Sequence, residues 1–215
     1  MELQEGKGIE KFLIGQVRNP ISQREWQRLA FEKGKGSAEH GIYSYREKFK
    51  KSLGLALGMD DIRKNQEVYV DEKGKRHEAD PSEPHRAFAN RLLLDIGDAL
   101  EAEIGGEDSR YAPRFFTTVG SEIDYSVKVD CWVELFDKEA AKPVADFKID
   151  LKTYPGELPG ELADAVYYFD KKFIVQDENG HDKLDRAVYQ DGNYKDLVST
   201  ASKSLLRQLK VVRPS

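Results

Sequence analysis

The chain has a single cysteine, Cys131, and four histidines without recurring ligand spacing. One thiol forms no internal disulfide and excludes thiolate metal clusters, and scattered histidines leave no structural zinc pattern. Long apolar runs are missing as well. None approaches the roughly 18 residues that span a bilayer, and no signal-peptide pattern opens the chain, so no membrane association and a cytoplasmic protein are expected. The sequence contains no G-x-S-x-G elbow, Walker loop or dinucleotide fingerprint, and its Ser, His and Asp residues are too dispersed to nominate a hydrolase triad. Basic charge does not dominate either. A formal net charge of −5 argues against a protein that coats polyanions indiscriminately, because that requires clustered Lys and Arg.

What is present is the composition of a folded domain: 215 residues, 39% hydrophobic and 34% charged, enough for one sizeable core. Charge is uneven along the chain. Residues 1–90 carry 17 basic and 15 acidic side chains (+2), and residues 91–215 carry 17 basic and 24 acidic (−7).

Residues 1–80 read as a helical segment with a hairpin, packed on a core formed by 81–215. Ile9, Phe12, Leu13 and Val17 share one helical face, and ISQREWQRLAFEK follows Pro20 with Ser22 as N-cap. Ile42, Tyr45, Phe49, Leu53 and Ala56 continue the 3.6 period beyond a Gly-rich linker. EVYVDEKGKRHEAD turns at Lys73-Gly74. A long helix is expected from about Ser82 to Ile104, with Ser82 as cap and Phe88, Leu92, Ile96 and Leu100 as its buried stripe.

The period then changes to two. RFFTTVG (114–120), SVKVDCWVELF (126–136) and VADFKIDLKT (144–153) read as strands. ELADAVYYF is ambiguous between helix and strand, a hairpin turns at Asn179-Gly180, and Leu197, Ala201, Leu205 and Leu209 mark a closing helix. The expected class is α+β, or mixed α/β.

Strand parity puts Lys128, Asp130, Trp132, Glu134 and Phe136 on one face of the sheet, together with Val144, Asp146, Lys148, Asp150 and Lys152. Trp132, Phe136 and Val144 call for a cover on that face, so its charges are informative. Two registers keep the core aligned. One sets Asp130 against Lys148 and Lys128 against Asp150, as salt-bridged pairs. The other, slipped by two, sets Asp130 against Asp150 and Glu134 against Asp146, and like charges directly opposite are destabilising unless neutralised. In that register two carboxylates and Lys152 form an oxygen-ligand site for a hard divalent cation, chemistry suited to phosphodiesters.

VDCWVEL followed by IDLKT resembles the PD-(D/E)XK nuclease superfamily over roughly residues 85–153. The resemblance implies a restriction-endonuclease-like central mixed sheet flanked by helices and a nuclease dependent on Mg²⁺ (or Mn²⁺). Asp130 and Asp150 match its acidic positions and Lys152 its lysine. Val129 stands where the family has proline, and Asp146-Phe147-Lys148 supplies a second D-x-K. The family often carries an acidic residue on the helix before the sheet, for which Asp95 is the best match, with Glu101 and Glu103 as alternatives. The expected partner is nucleic acid, DNA foremost, received on Lys48, Lys50, Lys51, Arg63 and Lys64. The alternative is a non-catalytic α+β protein-interaction module with a salt-bridged strand face.

Overall fold

A computed structural model describes residues 7–34, 54–71, 73–104, 110–154, 160 and 162–212. Among these residues the N-terminal segment contains α1 (Lys7–Ile14), α2 (Gln23–Gly34) and α3 (Gly54–Lys64), then a small hairpin of β1 (Val68–Val70) and β2 (Arg76–Glu78). Ser22 caps α2 as expected, its Oγ accepting the Glu25 N–H at 3.1 Å. The Gly-rich linker and most of the helix expected around Ile42–Ala56 lie outside the described residues; what is described there is α3.

The core is built from α4 (Ala87–Ile104), β3 (Tyr111–Thr117), α5 (Glu122–Val127), β4 (Cys131–Asp137), β5 (Lys142–Lys152), β6 (Ala165–Tyr168) and α6 (Gly192–Val212). A short hairpin, β7 (Ile174–Gln176) and β8 (Asp182–Leu184), precedes α6. The protein is α+β with a central mixed sheet of order β3-β4-β5-β6. The first three strands form an antiparallel meander, and β6 runs parallel to β5.

Each face of this sheet is covered by different helices. Cys131, Val133, Leu135, Phe147 and Ile149 pack on one face with Phe88, Leu92, Ile96 and Leu100 of α4, Leu197, Ala201 and Leu205 of α6, and Ile9 and Leu13 of α1. Trp132 and Phe116 face the other way, under Trp26 and Ala30 of α2, Met59 and Ile62 of α3, and Ile123 and Val127 of α5. Helices α2 and α3, with α5, are thus the cover that Trp132 called for.

Three expectations are corrected. Residues 126–130 do not belong to a strand: Ser121 accepts the Asp124 N–H and starts α5, and Lys128 ends it in the left-handed region at φ 53°. Val127 and Val129 therefore pack beside Trp132 instead of continuing the Cys131 row. The alternation is one of sequence alone, since Ser126 and Asp130 are buried along with the two valines and only Lys128 is exposed. Ser82 does not cap α4. Its N–H and hydroxyl both donate to Asp80 Oδ1, at 2.8 and 2.6 Å, which commits it to a turn, and α4 starts at Ala87. The strand expected at 114–120 occupies Tyr111–Thr117, and the chain leaves the sheet at Gly120, whose φ of +83° favours glycine.

The ambiguous ELADAVYYF contributes β6. The Asp164 N–H bonds Lys148 O at 2.9 Å and the Phe169 N–H bonds Lys152 O at 2.8 Å, so the segment completes its hydrogen bonds on β5.

Candidate functional site

The β4–β5 register decides what the charged face is. Cys131 pairs with Ile149, Trp132 with Lys148 and Glu134 with Asp146, and a bulge between Leu135 and Phe136 lets the hairpin close from Asp137 to Lys142. One step beyond Cys131–Ile149, Asp130 stands opposite Asp150. This is the slipped register. The salt-bridged alternative is not formed: Lys128 lies in the α5 cap, and Lys148 pairs with Asp146 on its own strand.

Backbone contacts lock Asp130 at the mouth of β4. Its N–H donates to Ile149 O at 2.9 Å, its carbonyl accepts the Thr118 N–H at 2.8 Å, and its Oδ2 accepts the Leu151 N–H at 2.7 Å. Asp150, fully buried, accepts the Gly160 N–H on Oδ2 at 2.7 Å, while Oδ1 lies 2.7 Å from Lys152 Nζ. Residues two apart on a strand share a face, which is why the Asp150-x-Lys152 spacing yields this ion pair. The side chain of Lys152 is 10% exposed, so the ammonium sits where the buried pair meets the surface.

Asp130 and Asp150 stand opposite each other, one step beyond the Cys131–Ile149 pair. Burial, then the nearby carboxylates of Glu10, Asp124 and Asp150, hold the Asp130 proton well above the usual carboxylate range. Two facing carboxylates cannot both ionise cheaply in a dry site, and Asp130 is the one whose proton is held. The same surroundings push the neighbouring Cys131 thiol up, which removes it as a thiolate nucleophile.

Sequence reasoning missed Glu10, Asp124 and Gly160. Asp124 had a readable signal, since Ser121-x-x-Asp124 is a helix-start pattern. Its Oδ2 accepts the Gly120 N–H at 2.8 Å. Glu10 had no local signal; the docking of α1 carries it to the site. Gly160 is required by contact, because a Cβ there would lie 2.2 Å from Lys128 O and 2.9 Å from Val127 O. Its peptide can reach Asp150 only by lying flat on that backbone.

Asp95 lies apart from this group. It accepts Arg91 Nη2 at 2.6 Å and the Tyr194 hydroxyl at 2.7 Å, and so ties α4 to α6. Glu103 faces Lys210 at 3.8 Å at the end of the same helix pair, and Glu101 is exposed. Of the expected basic stripe, Lys48, Lys50 and Lys51 lie outside the described residues. Lys64 is exposed on α3. Arg63 is committed inward: Nη2 lies 2.8 Å from the buried Glu134, Nη1 lies 2.6 Å from Asp60, and the guanidinium stands 5.9 Å from the Trp132 ring centroid.

Among the described residues no three His, Cys, Asp or Glu side chains form a ready-made ligand set for a metal ion. The donors that do converge, Asp130 and Asp150, are hard oxygens of the kind Mg²⁺ and Mn²⁺ prefer, and a cation between them would relieve the repulsion that raises the Asp130 proton affinity. None of the described helices is long and apolar enough to cross a membrane. No protein-family model matches the chain, and neither a curated protein nor a solved structure matches it.

Proposed function

We propose that the protein is a metal-dependent nuclease of the PD-(D/E)XK type, hydrolysing phosphodiester bonds of nucleic acid, DNA foremost. The observation that carries this reading is the β4–β5 register, which sets Asp130 against Asp150 with Lys152 Nζ 2.7 Å from Asp150. A salt-bridged surface has no need to bury two carboxylates face to face, and the one ammonium of Lys152 offsets only one of them.

In this reading Asp130, once deprotonated, and Asp150 would hold Mg²⁺ or Mn²⁺. A bound cation supplies Lewis acidity at the scissile phosphate and acidifies water. The Leu151 and Gly160 N–H groups keep one oxygen of each carboxylate fixed, so the donor geometry is set before substrate arrives. Lys152 is the positioning cation: from the edge of the buried pair it orients the attacking water or meets negative charge developing on phosphorus. Hydrolysis forms the bond from water oxygen to phosphorus and breaks the bond from phosphorus to the leaving oxygen, which takes up a proton. Glu10 and Asp124 add to the negative potential that draws a cation in.

The interaction-module reading draws on the rest of the same face, where Arg63–Glu134 and Lys148–Asp146 are ion pairs. Calorimetric titration of Mn²⁺ into the wild type and Asp150→Asn separates the two. Binding by the wild type that the folded variant loses supports the nuclease, and a nuclease screen with Lys152→Ala as control follows. Absence of binding by both at millimolar metal, with or without an oligonucleotide, overturns it.

A further inference from the structure

Strand β5 ends at Lys152, and Tyr154 follows two residues later in the bend that leaves the sheet. Two residues of chain span about 7 Å at most, so Tyr154 stays close to Lys152 at the edge of the site. It is one of the few large apolar side chains left open among the described residues, at 45% exposure. Its ring is held in place from the neighbouring turn. The Phe169 N–H bonds Lys152 O and carries the chain past the end of β5, after which Lys171 places Nζ 2.9 Å from the Tyr154 hydroxyl and 4.7 Å from its ring centroid. A cation over an aromatic ring is a favourable contact that also fixes the ring's orientation. On the other side, Lys128 is exposed in the α5 cap, with Gly160 packed on its carbonyl.

The edge of the site thus combines an oriented aromatic ring with Lys152 and Lys171, and Lys128 is exposed where Gly160 packs on its backbone. Lysines suit a phosphate backbone, and an aromatic face suits an unpaired base, which any nucleotide can offer. Bases inside a duplex are already stacked on their neighbours and have no face to give. We infer that Tyr154, backed by Lys171, is a stacking platform for an unpaired nucleobase, and that the substrate is therefore single-stranded nucleic acid or a frayed end. This inference rests on the nuclease reading and names the substrate class of that site.

The test measures the binding of a labelled single strand of about 12 nucleotides, and of a closed hairpin duplex, by fluorescence anisotropy, in EDTA and in Ca²⁺. The proteins are the wild type, Tyr154→Phe and Tyr154→Ala. Tyr154→Ala is expected to weaken single-strand binding about five- to hundredfold, while Tyr154→Phe keeps most of the affinity and duplex binding is unchanged. An abasic residue scanned along the strand costs the wild type a similar factor at one position and costs Tyr154→Ala nothing further there. A matched RNA strand distinguishes the two sugars. Unchanged single-strand affinity in Tyr154→Ala, equal losses for strand and duplex, or no binding of single strands by the wild type overturns the inference. The two readings fail separately. Tyr154-dependent strand binding by a protein that neither binds Mn²⁺ nor cleaves leaves the platform standing without the nuclease, and cleavage indifferent to Tyr154 leaves the nuclease without the platform.

Discussion

Asp130→Asn should make the metal-free protein more stable while removing its capacity to hold a metal ion. Asparagine is nearly isosteric with aspartate. Its Oδ1 can still accept the Leu151 N–H that Asp130 Oδ2 accepts at 2.7 Å, and its Nδ2 can donate to the facing Asp150. What disappears is the cost of a buried carboxylate facing Asp150, with Glu10 and Asp124 nearby. Relief of such a strained functional charge commonly yields about 0.5–2 kcal/mol. For a chain of 215 residues this corresponds to a rise in Tm of about 1–8 °C.

The sign with pH is specific. Below the unfolded-state value of about 3.9, Asp130 is protonated in both states, and wild type and variant should have similar stability. As pH rises, the unfolded chain releases this proton while the folded protein retains it, so wild-type stability falls relative to the variant until the raised folded value is passed, and the gap is constant above it. Urea denaturation of both proteins in EDTA between pH 3.5 and 8 reads the effect, because titrating groups that do not interact with Asp130 cancel in the difference. A variant less stable than the wild type at neutral pH, or a gap that does not change with pH, would refute the reasoning and make Asp130 an ordinary structural hydrogen-bonding residue.

Two further perturbations follow from the same geometry. Gly160→Ala forces a Cβ to within 2.2 Å of Lys128 O, so the peptide must lift and release Asp150 Oδ2; about 1.5–3 kcal/mol should be lost, with weaker Mn²⁺ binding, and unchanged urea midpoint and metal affinity would contradict the placement. Arg63→Ala strips the fully buried Glu134 of its guanidinium partner, leaving Trp132 Nε1 at 3.5 Å, and should cost about 3 kcal/mol. Adding Glu134→Gln should restore most of that loss in a double-mutant cycle, whereas simple additivity would show that the pair is not coupled.

Much of the framework was legible in the chain. The four-residue recurrence of Phe88, Leu92, Ile96 and Leu100 specifies α4 because a helix can bury that row only on one face, and the alternation from Cys131 to Leu135 specifies β4 for the corresponding reason. The spacing of Asp150 and Lys152 alone puts them on one side of a strand. The ion pair at 2.7 Å is a local consequence. Local chemistry also misled in one place: Val127 and Val129 carry a strand-like pattern, but the capping of α5 by Ser121 outweighs it.

The sequence by itself determined most of the element types, the main apolar faces and which carboxylates could share the β4–β5 face. It left open two registers, and only tertiary structure chose between them: the bulge at the end of the hairpin, the commitment of Lys128 to the α5 cap and the packing of Trp132 beneath α2 and α3 admit the register that sets Asp130 against Asp150. Tertiary structure alone also brought in Glu10 and Gly160, from about 120 residues before Asp130 and ten after Asp150. Neither carries a local pattern that points to the site, because a charge acts across space and a glycine matters where another backbone comes close. Side-chain periodicity is a property of the local chain. The meeting of two like charges is a property of how whole layers pack, and it is settled only when the cover and the sheet are assembled together.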